Sequence, residues 1–549
     1  MALSDIFPIP GVKHGERILI SVVENRASDD SGNPWVSVPV DDQDLSQGFK
    51  NITFRQLNNY ANHAAQWLTE NLPETSEAFE CVAYAGPKDL RYPILALAAA
   101  KLQKVLVLPS PLITPEAQRK ILEAKRCTLY LRPSSLEKQV GAVLKDAPHI
   151  QAMTVPEIDE FMKETEAPIY TYTKAWEEGK DDPWLVFHTS GTTGYPKPLT
   201  YTHEMMAVAD MVAATPDLEH CFAHHFAQER LYTPLPSLHL VGMILVLAST
   251  SLVHTTLVIG PPTLPTPETV IDILRYGEVK VALLTPAVIE ELCLTPTGTN
   301  ALRNLKSVHY AGAPLSAKAG DILISHTQVV PTIGSTESGG YLTSVHDKKE
   351  AWDYVSFQKH AGAIFEHRFD DLYELVFVRQ PDSKLQSIFR LYPHLDRYPT
   401  SDLWIEHPEH KGLWKIVGRS DDHVSFSHGE GLYASRLEPE IEVHAAVKSA
   451  LIGGHGHSAP VLLIELYPGA AEGDSLDQFL DTLQPNIEKV NALVHDCVKL
   501  STDRIIIATK EKPFIRTRPR FGHGRLAIQG TQGGIFTHLD ILHPNIQPV

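Results

Sequence analysis

Cysteine is scarce in this 549-residue chain: Cys81, Cys127, Cys221, Cys293 and Cys497 are the only five, far apart and with no C-x-x-C pair. So odd and scattered a set argues against a disulfide framework or a cysteine zinc site and reads as reduced intracellular thiols. Positive charge is also in deficit. Lys and Arg number 48 against 66 Asp and Glu, a formal net charge of -18. A surface this acidic repels phosphate backbones, which argues against nucleic acid as a partner, although one local basic pocket for a single nucleotide is compatible with it. Long apolar runs are missing too. Residues 231–267 hold no Asp, Glu, Lys or Arg, but Ser249, Thr250, Ser251, His254, Thr255 and Thr256 interrupt them, and Pro261 and Pro262 follow. A membrane span needs about 20 predominantly apolar residues, so this stretch predicts a buried helix followed by a buried strand, and no membrane partner is expected. Residues 1–16 show no basic segment followed by an apolar run, so no signal peptide is visible and a cytoplasmic location is expected. No internal repeat or low-complexity tract stands out.

What is present is globular: 43% hydrophobic and 21% charged residues. The length exceeds what one core serves, so at least two domains are expected. Thr53 and Gln56 have capping-box spacing, and Phe54, Leu57, Ala61, Ala64 and Leu68 follow at helical period. Residues 94–100 and 115–124 read as helices, and 105–108, 128–131, 185–188, 256–259, 281–284 and 307–310 as short strands. That alternation predicts α/β layers with largely parallel sheets. The polar stretch 418–422 reads as a turn-like linker. It divides a large N-terminal domain of layered sheets and helices, 1–419, from a smaller α+β domain, 420–549.

The chemistry concentrates in residues 188–198, H-T-S-G-T-T-G-Y-P-K-P. Gly191 and Gly194 let the backbone approach phosphates. Thr189, Ser190, Thr192 and Thr193 add hydroxyl donors, and Lys197 neutralises charge. The spacing is not that of the G-x-x-x-x-G-K-[ST] P-loop. Three further segments follow in order. Residues 310–315, Y-A-G-A-P-L, give a small-residue turn containing Gly312, Ala313 and Pro314. Gly334, Ser335, Thr336 and Glu337 put a hydroxyl beside a carboxylate, a pair able to hold a phosphate oxygen and Mg²⁺. Asp402 and Arg419 offer an acid and a base for ribose hydroxyls. Taken singly, each of these reads as a polar turn or a solvated ion pair.

Together, and in this order, they resemble the adenylate-forming (ANL) superfamily: acyl- and aryl-CoA ligases, luciferases and adenylation domains of nonribosomal peptide synthetases. The resemblance covers about residues 52–442. The wording of 185–203 and 428–442 is most similar to fungal synthetase-like proteins of the carboxylic acid reductase type. The resemblance implies ATP and Mg²⁺ as cofactors and activation of a carboxylic acid as acyl-AMP. It also implies transfer to a phosphopantetheine thiol on a carrier protein or to CoA. Residues 189–197 match the phosphate loop, 311–315 the substrate and adenine turn, 334–337 the Gly-x-Thr-Glu segment and Asp402 the ribose-binding acid. Asp421 matches the hinge about which a mobile small domain turns. In the segment 234–242, His239 matches the histidine lining the acyl pocket. No acid stands in that segment to pair with a substrate ammonium, and an unpaired ammonium costs several kcal/mol. An aryl or other hydrophobic acid without an α-amino group is therefore expected.

Two positions depart from the family pattern. Ile333 stands where an adenine-stacking aromatic is usual. Arg518 and Pro519 stand where Gly and the adenylation lysine are usual, and the tail beyond about 518 is atypical. Three readings are open: truncation or a shifted frame, a register change in which Lys512, Arg518 or Arg520 supplies the charge, or an ATP-binding relative that adenylates poorly.

Overall fold

The computed structural model describes residues 14–29, 32–73, 77–189, 196–218, 220–420, 423–427, 430–454, 457–467, 470, 476–508, 515–516 and 526–527. Two compact units result. The first is Met1–Ala311, Ala317–Gly362 and Val378–Arg397; the second is Gly312–Ser316, Ala363–Phe377 and Tyr398–Val549.

Two largely parallel sheets dominate the first unit. A six-stranded sheet runs Gln151–Thr154, Leu129–Arg132, Cys81–Tyr84, Val105–Val107, Pro183–Thr189, Lys197–Thr202, and only the last strand is antiparallel. A seven-stranded sheet runs Gln328–Pro331, Ser307–Tyr310, Val281–Leu284, Arg230–Tyr232, Thr256–Val258, Pro34–Pro39, Phe49–Thr53, again with only the last antiparallel. The short, apolar and fully buried central strands, such as Val105–Val107 and Val281–Leu284, suit parallel sheets covered on both faces. The capping box forms as its spacing predicts. Gln56 N–H donates to Thr53 Oγ1 at 3.3 Å, and Thr53 N–H donates to Gln56 Oε1 at 2.9 Å. The helix Phe54–Asn71 then buries Phe54, Leu57, Ala61, Ala64 and Leu68.

The uncharged stretch becomes a buried helix of Leu240–Met243, a π turn Ile244–Ser249 and Thr250–Leu252, followed by the buried strand Thr256–Val258. Burial accounts for its lack of charge. The Trp35 indole N–H donates to the Val246 carbonyl at 2.7 Å, satisfying a backbone group at the π turn. No described helix is long and apolar enough to cross a membrane.

The second unit has a four-stranded sheet, Ala363–Phe369, Leu372–Val378, Arg397–Glu406, Trp414–Arg419. A three-stranded sheet, Val447–Gly453, Val461–Leu466, Ile505–Ile507, shares a core with the helices Ala434–Glu442 and Leu476–Asn491 through Leu437, Ile441, Ile452, Ile464, Leu483 and Ile487. One expectation is corrected here. Gly418 and Arg419 finish a strand and do not open a turn, because Gly418 pairs with Leu403 and Arg419 with Asp402. A Cβ at position 418 would collide with Ser435 Oγ, so glycine is what lets the strand pass.

Candidate active site

In the first unit the strands Pro183–Thr189 and Lys197–Thr202 form a hairpin in which Thr189 pairs with Lys197 and Leu185 with Tyr201. Ser190, Gly191, Thr192, Thr193 and Gly194 lie outside the described residues, so the structure describes the frame of the loop. At its base, Ser110 N–H donates to His188 Nε2 at 3.0 Å, which puts the proton of the neutral ring on Nδ1. Burial pushes His188 down to about 4, so the ring is neutral at physiological pH.

Strand period two places Lys197, Leu199 and Tyr201 on one face. Lys197 is exposed, whereas Tyr201 is 1% exposed. The Tyr201 hydroxyl donates to the Thr336 carbonyl at 2.9 Å. One strand therefore carries Lys197 at its start and a tie to the Thr336–Glu337 turn four residues on. That turn is Thr336, Glu337 and Ser338, bridging Gly334–Ser335 and Gly339–Gly340. Ser338 N–H donates to Ser335 Oγ at 3.1 Å. Gly339 has φ +71°, and a Cβ on Gly334 would stand 2.5 Å from the Gly339 carbonyl oxygen, so the tight turn depends on both glycines. Burial first, and then the nearby Glu337 charge, raise the Tyr201 phenol. It stays a donor at any physiological pH.

His239 is half-buried and directly precedes the helix Leu240–Met243, which packs against Gly339–Gly340. Its N–H donates to the Pro236 carbonyl at 3.0 Å. The first unit thus assembles Lys197, the Gly334, Ser335, Thr336 and Glu337 turn, and the His239 segment around the strand Lys197–Thr202 and its neighbours. A surface groove of about 300 Å³ beside Gln328–Pro331, lined among others by Lys306, His326, His346 and Lys348, includes none of these residues.

In the second unit Asp402 and Arg419 meet directly, with Arg419 Nη1 2.9 Å from Asp402 Oδ1. Asp402 is 6% exposed. Its N–H donates to Thr400 Oγ1 at 3.0 Å, and that hydroxyl donates to the Leu375 carbonyl at 2.9 Å. Ser401, immediately before it, has φ +64°, an uncommon conformation for a non-glycine residue, and its N–H donates to Glu374 at 3.0 Å. Such strain gathers at functional sites. Gly312, Ala313 and Pro314 form an irregular turn after the strand Ser307–Tyr310, with Gly312 at φ +97°. Asp421, Lys512, Arg518, Pro519 and Arg520 lie outside the described residues.

Three contributors escape sequence reading. Tyr201 had a local signal, two strand periods after Lys197 on the same face. Glu374, which accepts from the Ser401 N–H, and Tyr392, whose hydroxyl oxygen lies 2.5 Å from Lys197 Nζ, had none, because each reaches its place through distant chain.

Comparison with known proteins follows the same lines. Residues 34–364 match the AMP-binding enzymes, and residues 421–520 match the AMP-binding enzyme C-terminal domain. The carboxylic acid reductase of Neurospora crassa is 28% identical over 529 residues, covering 94% of this chain and 50% of that protein. The adenylate-forming reductase Nps9 of Serpula lacrymans is 25% identical over 548 residues, covering 94% of this chain and 48% of that one. This chain therefore spans about half the length of these curated relatives. Among solved structures, ATP-bound MatB from Rhodopseudomonas palustris shares the fold with a TM-score of 0.65 at 16% identity, over 92% of this chain and 97% of that one. The matched segment covers more than half the sequence, and the chain belongs to the AMP-binding enzyme family of the adenylate-forming superfamily.

Proposed function

We propose that this chain binds ATP and activates a carboxylic acid, aryl or otherwise hydrophobic and lacking an α-amino group, as acyl-AMP. The observation that carries the reading is the bond from Tyr201 to the Thr336 carbonyl, which ties the strand bearing Lys197 to the turn bearing Thr336 and Glu337. A carboxylate oxygen attacks the α-phosphorus, the bond to the bridging oxygen breaks, and pyrophosphate leaves. Lys197, the loop amides of Ser190, Gly191, Thr192, Thr193 and Gly194, and the Thr336 hydroxyl supply positive charge and donors where negative charge grows. Glu337 is a single carboxylate, which suits Mg²⁺ that keeps most of its coordination on phosphate and water. Among the described residues, no group of three or more His, Cys, Asp or Glu could hold a metal by itself. Asp402 and Arg419 grip the ribose, Gly312, Ala313 and Pro314 face the adenine and acyl end, and His239 borders the acid. Such positioning converts the attack into an effectively unimolecular step. A thiol then takes the acyl group and AMP leaves. The acceptor is a phosphopantetheine arm on a carrier protein; CoA is the alternative. In this reading the large domain is 1–419, the small domain is 420–549, Asp421 is the pivot between the two steps, and the site of action is cytoplasmic.

The test is acid-dependent ATP–pyrophosphate exchange over aryl, aliphatic and amino acids. Exchange with aryl or hydrophobic acids is expected, falling at least a hundredfold in Lys197→Ala. Exchange with amino acids alone would overturn the acid class, and an unchanged Lys197→Ala would overturn the loop assignment. Acyl-CoA formed without a carrier would select the alternative acceptor. A second reading, nucleotide binding without adenylation, rests on Pro519, which has no side-chain donor where the family places a lysine. It predicts nucleotide binding with no exchange for any acid.

A further inference from the structure

Lys197 is exposed, yet its ammonium is held. Nζ lies 2.5 Å from the Tyr392 hydroxyl oxygen and 4.5 Å from the ring centroid, so the contact is made at the oxygen and not over the ring face. Among the described residues no carboxylate pairs with Lys197. Tyr392 is itself fixed from both sides. Its N–H donates to the Ile388 carbonyl at 2.9 Å, closing the short helix Ile388–Leu391. Beyond it, the Arg379 guanidinium donates to the Pro393 carbonyl at 2.9 Å and to the Leu395 carbonyl at 2.6 Å, with its carbon 4.7 Å from the Phe389 ring centroid. Arg390, two residues earlier, pairs at 2.7 Å with Glu204, whose side chain is 9% exposed. A turn nearly two hundred residues away in sequence is thus pinned in place, and it presents one neutral oxygen to the loop lysine.

A free lysine side chain carries about 2 kcal/mol of rotamer entropy, which is lost when it grips a ligand. A partner that orders it beforehand removes part of that cost. A carboxylate partner would order it too, but would cancel its charge. A phenol hydroxyl accepts one of the three ammonium protons, leaves two for phosphate oxygens and leaves the charge intact. We propose that Tyr392 is a positioning residue for the nucleotide, holding Lys197 in its phosphate-binding position before ATP arrives. This rests on the ATP-binding reading given above.

The test is a double-mutant cycle of Tyr392→Phe and Lys197→Ala, read by calorimetric binding of a non-hydrolysable ATP analogue to the full chain. Phenylalanine keeps the ring and removes only the oxygen. Tyr392→Phe is expected to weaken binding three- to tenfold in the native background and to have no effect in Lys197→Ala. No change, tighter binding, or an equal loss in both backgrounds overturns the proposal. The kinetic counterpart is a rise in KM for ATP in the exchange assay with KM for the acid unmoved; a rise in both overturns it as well. If the native chain binds no analogue, the ATP-binding reading itself fails. If the native chain binds and Tyr392→Phe binds equally, only the role of Tyr392 fails.

Discussion

The Tyr201 hydroxyl, enclosed in the first unit, is aimed at one backbone carbonyl, that of Thr336. Replacing it with phenylalanine leaves the ring packed and orphans that carbonyl, a loss of about 1–2 kcal/mol. Tyr201→Phe is therefore expected to lower acid-dependent exchange about tenfold, with a small drop in melting temperature. Unchanged exchange would mean that the tie does not position the Thr336–Glu337 pair. At this scale, Lys197, Glu337, Asp402 and Arg419 are legible in the sequence because short glycine- and hydroxyl-rich words surround them. Tyr201 and Tyr392 carry no such words. A tyrosine in a strand looks like any core aromatic until its oxygen is seen to have a partner, and that partner is supplied by tertiary contact.

The turn between Gly334–Ser335 and Gly339–Gly340 gives a sharper test at the level of one element. Its glycines are not equivalent. A Cβ on Gly334 would stand 2.5 Å from the Gly339 carbonyl oxygen and 3.0 Å from the Gly340 Cα, and backbone cannot yield as a side chain can. A Cβ on Gly340 would meet the Phe222 ring at 3.6 Å, an ordinary contact. Gly334→Ala is expected to cut exchange more than tenfold, and Gly340→Ala to stay within about twofold, with melting temperatures recorded for both. Equal effects would mean that the turn does not depend on that close approach. The sequence reads the helix Phe54–Asn71 and the strands near 281–284 and 307–310 closely, since capping and apolar runs are local signals. It misreads 418–419 as a turn. Glycine usually marks one, but here it makes room for Ser435 beneath a strand whose pairing to 402–403 is long-range.

At the scale of the whole molecule, buried imidazoles couple stability to pH. Burial holds His188 at about 4, and burial with a smaller push from Lys174 holds His203 at about 3. An unfolded chain has these groups near 6.5. Between that value and the folded values the unfolded state binds more protons, so stability is full above about pH 6.5 and falls as the solution is acidified toward pH 4. Each group adds about 1.4 kcal/mol per pH unit across that window. The melting temperature is expected to fall from pH 7 to pH 5, and His203→Gln, removing one group, to flatten the fall. A midpoint level across that range would contradict the neutral burial of these rings. By itself the sequence determines the layered α/β plan, the family and the candidate residues for the proposed nucleotide site, because periodicity, capping and the glycine–hydroxyl words act over a few residues. Only the tertiary structure decides which hydroxyl holds the Thr336 carbonyl, which oxygen waits beside Lys197, that Asp402 and Arg419 answer one another across a strand pair, and that Ser401 is held in a left-handed conformation beside them. Those relations join residues from about seventeen to nearly two hundred positions apart, or depend on such a joining, and no local pattern encodes a contact made by the folding of distant chain.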